Sequence, residues 1–143
     1  MTEEEWQSLK TFVIDKFTND PFVRDMDIKV ESVEPKRAVF SLDVKHNRSN
    51  MFGIVHGGVL MTLADVGMGA ACFSCNKKVV TLEANMSFLR SAPVGKHLIA
   101  TGSVLHNGNR TLSCECDITD DEGRLCARGR GTFFVVGRIQ EEL

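Results

Sequence analysis

The sequence lacks a charge bias: 17 Lys and Arg stand against 19 Asp and Glu, for a net charge of -2. A general nucleic-acid binder carries a basic excess, so that class is excluded, although a local basic patch for phosphate groups is not. An apolar run long enough to span a bilayer is also missing. The most apolar stretch, Asn50 to Cys75, is broken by Asp65, Gly67 and Gly69, which excludes a membrane helix there. The start, Met-Thr-Glu-Glu-Glu, is acidic where a secretory leader needs a basic region, so the expectation is a cytoplasmic protein with no membrane partner. No repeat, linker or low-complexity segment divides the chain. Its 143 residues suit a single domain, 1–143, large enough to bury a core.

Two kinds of site chemistry are short of parts. No strand-turn-helix nucleophile elbow accompanies a Ser-His-Asp or Cys-His set. His46, His97 and His106 are scattered near strand ends with no ligand spacing. Cys72 and Cys75 form a CxxC, and Cys114 and Cys116 lie two apart on one strand face. Four such thiolates are a conceivable zinc set, but the first pair closes an apolar helix without the turn that zinc-binding pairs occupy. The expectation is five reduced core cysteines and no metal.

What the sequence does have is concentrated in Asn50 to Cys75. His56-Gly57-Gly58 reads as the turn into a helix, and Val59 to Phe73 carries apolar residues almost all round. A helix apolar on every side is a buried one, placed in the middle of the fold. Asp65 is then an anomaly, because a carboxylate is rarely buried unless something pairs with it or uses it. No Arg or Lys lies one turn away. The bland alternative is a wet residue at a subunit surface; the sharper one is a catalytic acid in a cleft.

The start of the helix offers the complementary group. Gly57 and Gly58 have no side chains to block a ligand, and the first amides of a helix are unpaired donors at its positive end. They suit a phosphate or a carbonyl oxygen gaining charge. Gly57 and Asp65 are eight residues apart, roughly 12 Å along one helix, whereas a reacting carbon must lie roughly 3 Å from both donor and attacking atom. If both act on one carbonyl, the acid comes from a second copy, with two helices antiparallel across a two-fold axis. A homodimer with shared active sites is the expectation.

The flanks complete an α+β pattern. Thr2 to Thr18 reads as a helix with Thr2 as N-cap and a stripe of Trp6, Leu9, Phe12 or Val13, and Phe17, ended by Asn19-Asp20-Pro21. Asp27 to Val33 and Arg37 to Val44 alternate like a pair of strands around Glu34-Pro35-Lys36. After the central helix, Val79 to Phe88, Lys96 to His106, Arg110 to Thr119 and Leu125 to Val136 read as an antiparallel meander. Its connections are Pro93-Val94-Gly95, Asn107-Gly108-Asn109 and Asp120 to Gly123. One sheet wrapped around one helix is the expected architecture.

Asn50, His56-Gly57-Gly58, Asp65, Val80-Thr81-Leu82 and the segment Phe88-Leu89-Arg90-Ser91-Ala92-Pro93 together resemble the hotdog-fold acyl-CoA thioesterases of the phenylacetate-pathway (PaaI-like) branch. The resemblance runs from about Val30 to Val136. It implies an antiparallel sheet around one long central helix and hydrolysis of an acyl- or aroyl-CoA thioester, with coenzyme A part of the substrate and no cofactor. Asp65 becomes general base or nucleophile, supplied across a dimer interface. Gly57 polarises the thioester carbonyl through its N-H, His56 shapes the turn, Asn50 helps hold the carbonyl or the water, and Thr81 orients the water. Gly58 leaves room for substrate, and Arg90 is first among Lys96, Arg128 and Arg130 for the coenzyme's phosphates. In place of the family's Leu-Arg-Pro, proline is displaced to Pro93. A dimer of dimers is also implied.

Two rivals share these residues. A dehydratase acting on a 3-hydroxyacyl thioester needs a histidine base, for which His56 is the candidate. A non-catalytic acyl-CoA sensor keeps the glycines but needs no acid, and the presence of Asp65 counts against it. Met51, Phe52, Met61 and Met68 are expected to shape the acyl pocket across the interface.

Overall fold

The computed structural model describes residues 1–143 and holds six strands and one long central helix. Helix α1, Glu3–Thr18, begins where expected. Thr2 Oγ1 accepts from the Glu5 N-H while Glu5 Oε2 accepts from the Thr2 N-H, a reciprocal cap. Asn19 ends it, and Asp20 at once caps a second, five-residue helix, α2 (Pro21–Asp25). The Asn-Asp-Pro break is therefore a corner between two helices, with proline in the first turn where its missing N-H costs nothing.

β1 (Lys29–Glu34) and β2 (Arg37–Asp43) form the expected hairpin, with Lys36 at φ +63° closing the two-residue turn after Pro35. Helix α3 is Gly57–Phe73. β3 (Lys78–Phe88), β4 (His97–Asn107), β5 (Thr111–Thr119) and β6 (Leu125–Gly137) follow. All pairings are antiparallel and the order is β1-β2-β4-β5-β6-β3.

This order corrects the meander. Of the four strands after α3, only β4, β5 and β6 are neighbours in chain order; β3 lies at the far edge against β6, and β4 sits between β2 and β5. The segment after β3 cannot turn tightly because it is already paired. Leu89 and Arg90 donate to the Cys126 carbonyl, Ala92 O accepts from the Val55 N-H, and Pro93 bridges to Ile54.

The sheet curls around α3, and the core between them includes Leu60, Leu63, Met68, Phe40, Leu98, Ile118 and Phe133. At Gly102 of β4 the helix comes so close that an added Cβ would overlap the Gly67 carbonyl. The expectation of a helix buried on every side holds on the sheet side only. Met61 is 44% exposed, and Thr62, Asp65, Val66 and Gly69 are half-buried along one flank. No helix is long and apolar enough to cross a membrane.

Candidate active site

His56 is the N-cap of α3: its backbone is extended and its Nδ1 accepts from the Gly58 N-H at 2.9 Å. His56 thus builds the turn by capping the helix with its own ring nitrogen. Gly58 is consumed by this arrangement. A Cβ on Gly58 would lie 3.2 Å from the same nitrogen, so its bare Cα makes room for the imidazole and its N-H is not open to a ligand.

The Gly57 N-H has no acceptor in the chain. It opens onto a groove lined by Asn50, Leu60, Phe88, Leu89, Arg90 and Ser91, among others. Asn50 Oδ1 accepts from the N-H groups of Phe52 at 2.9 Å and Ile54 at 3.4 Å, which fixes the amide orientation. Its NH2 end is left as a donor, suited to a carbonyl oxygen. Arg90 in this groove makes no ion pair, whereas Arg128 is held by Asp117 at 2.7 Å, Arg130 by Glu115 at 3.8 Å and Lys96 by Glu122 at 3.2 Å. Of the four cations expected near the phosphates, Arg90 alone is free.

Asp65 lies in a different groove, with Thr81 beside it. Thr81 donates its hydroxyl to Asp65 Oδ1 at 2.7 Å, joining β3 to the middle of α3. That bond orients the carboxylate and leaves Oδ2 open. The two grooves share no lining residue.

Met61 reaches the exposed flank, and Met51 and Phe52 stand out on the loop before α3 at 90% and 78% exposure. Met68 does not join them. It is fully buried, because β6 carries Gly131, whose bare Cα leaves room for the methionine tip. Sequence reasoning missed the wall beside the acid, where Phe17, Phe22 and Val23 of α1 and α2 meet Val66, Gly69 and Phe73 of α3. Phe17 was visible only as one member of the α1 stripe, and nothing in that periodicity says what the stripe faces.

The cysteines separate from the site. Cys72 and Cys114 bring their sulfurs to 3.3 Å in the core. That mutual contact and burial push the Cys72 thiol above its ordinary range, and burial pushes Cys116 up to about 12.

An antiparallel sheet curled around one long helix, with an acid at mid-helix and a free amide at the helix start, defines a hotdog protein. Residues 52–127 match the thioesterase superfamily. The chain belongs to that family, in its PaaI-like branch. It is similar to the 1,4-dihydroxy-2-naphthoyl-CoA hydrolase of Escherichia coli (strain K12), at 33% identity over 114 residues, 78% of this chain and 83% of that one. The acyl-coenzyme A thioesterase PaaI of the same strain is 28% identical over 137 residues, 96% of this chain and 95% of that one. The solved E. coli PaaI structure superimposes with a TM-score of 0.87 at 26% identity, covering 96% and 98% of the two chains. A hypothetical thioesterase of Streptococcus pneumoniae TIGR4, solved with coenzyme A, has a TM-score of 0.75 at 30% identity, covering 78% and 90%.

Proposed function

We propose that the protein hydrolyses an acyl- or aroyl-coenzyme A thioester to the free acid and coenzyme A, in two sites shared between the subunits of a homodimer. The observation that carries this reading is the separation of two complementary half-sites along one helix: the free Gly57 N-H in one groove, the Asp65-Thr81 pair in another.

The free edge of β3 supplies the means to join them. Val80, Leu82 and Phe88 on this strand are each more than half exposed, and a long apolar edge is a template for another strand. In one chain Thr81 touches Asp65, and the Phe88 ring would lie 3.6 Å from a Cβ on Gly57. Antiparallel pairing of two β3 edges, centred between Ala84 and Asn85, sets Thr81 opposite Phe88 of the partner subunit. Asp65 is thereby brought toward Gly57 of the partner subunit. Two such dimers form the tetramer that the resemblance implies.

The thioester oxygen accepts from the Gly57 N-H and the Asn50 amide, aided by the positive end of α3. Asp65 Oδ2 from the other subunit either takes the proton of the attacking water or attacks the carbonyl carbon to form an anhydride that water opens. Coenzyme A leaves as the thiol, its phosphates near Arg90, and water is the only co-reactant. The names of the two E. coli relatives and the coenzyme A held by the S. pneumoniae structure support this substrate class.

The test is Asp65→Asn. Thiol release from acyl-CoA should be abolished while coenzyme A binding and the dimer persist; a fully active Asn variant contradicts the mechanism.

A further inference from the structure

The groove beside Asp65 continues past the acid, and its floor has a gap where most helices would carry a side chain. Gly69 lies one turn beyond Asp65 on the same flank of α3. A Cβ placed there would meet only the Phe133 ring, at 3.9 Å. The cavity over it is about 280 Å³, walled by Phe17, Phe22, Val66, Phe73 and Phe133. An apolar cavity of roughly 150 Å³ suffices for a benzene ring. The space beyond the acid is thus far larger than an acetyl group needs, and its lining is mainly hydrocarbon.

We propose that Gly69 sets how large an acyl group the groove beside Asp65 admits, its bare Cα leaving room for one at least the size of a benzene ring. This rests on the reading of Asp65 as the group that acts at the thioester carbonyl. With the carbonyl at Asp65 and the coenzyme leading toward Arg90 of the partner subunit, the acyl end runs along α3 across Gly69. A large acyl group buries apolar surface against Val66, Phe73 and Phe133; an acetyl group leaves that surface wet and gains little.

The experiment compares the wild-type chain with Gly69→Ala and Gly69→Leu. Both substitutions replace glycine inside a helix with better helix formers, and the gap above Gly69 admits them, so folding is favoured. Two readouts are taken: kcat/KM for benzoyl-CoA and acetyl-CoA, and calorimetric affinity for the non-hydrolysable ketones phenacyl-CoA and acetonyl-CoA. Wild type should prefer the aryl member of each pair. Gly69→Leu should lower both aryl-to-methyl ratios by at least about tenfold, the scale on which a filled apolar pocket discriminates, with Gly69→Ala between. Ratios that stay at the wild-type value in Gly69→Leu overturn the proposal, whether the absolute values fall together or not at all. Failure of the hydrolase reading looks different: wild type then releases no thiol from either thioester, and the ketone ratios still decide whether the groove holds the acyl group.

Discussion

The backbone N-H of Gly57 is one of the donors that every helix start leaves unpaired, so it can be removed without breaking a bond inside the fold. Proline does this at the first helical position, where its ring is tolerated. The preceding residue, His56, already has φ -68° and ψ 137°, the extended conformation that proline demands of its predecessor. Gly57→Pro should therefore keep its circular dichroism and melting temperature while losing about 10²–10³-fold in kcat, the usual effect of deleting an oxyanion donor. Activity near wild type would remove this amide from the mechanism. These residues were legible because each is out of place in an apolar stretch: Asp65 as its carboxylate, Gly57 and Gly58 as bare backbone before a helix. The different tasks of the two glycines were not legible, since only the fold-back of the His56 ring shows that one amide is taken and the other free. Met61 and Met68 likewise look equivalent, two turns apart on one flank. Met68 faces the sheet with its tip against Gly131, a residue of a distant strand, and Met61 does not.

At the scale of elements, α3 is seated on β4 through backbone rather than side chains. Gly67 and Gly102 touch, and a Cβ on Gly102 would also come within 2.8 Å of the Met68 amide nitrogen. Gly102→Ala should destabilise the fold by about 1–3 kcal/mol, the range for overpacking a close-packed contact. Urea unfolding measures it, and a variant as stable as wild type would show that the helix does not rest there. The β5-β6 turn gives a second test. Burial pushes the Asp120 carboxyl up, but the N-H groups of Arg124 and Glu122 and the Arg124 guanidinium outweigh this and hold it below the ordinary 3.8. A carboxyl lowered in the folded state contributes stability above its unfolded value and loses it as pH falls through its folded value. The melting-temperature gap between wild type and Asp120→Asn should be full near neutrality and close below pH 3.8; a gap unchanged in acid would mean that charge is not the cause. Strand positions were legible from alternation and turn residues, which are local. Strand order was not, because β3 leaves the meander through pairings of residues 89–93 with the loop before α3 and with β6, contacts between segments far apart in sequence.

For the whole molecule, the two candidate half-sites lie in separate grooves of one chain, and the proposed mechanism needs a second chain to unite them. The length of a helix was enough to state that requirement from sequence, since eight residues of rise cannot be folded away. The surface that meets it, the free apolar edge of β3, became visible only with the sheet order. The most direct measurement mixes two inactive variants, Asp65→Asn and Gly57→Pro, unfolds and refolds them together, and assays thiol release. In a heterodimer one site receives Asp65 and Gly57 intact, from different chains, and the other receives both defects. Random pairing of equal amounts should restore about a quarter of wild-type activity. Should the mixture stay as inactive as its components while wild type recovers from the same treatment, acid and amide do not come from different chains and the shared site is wrong.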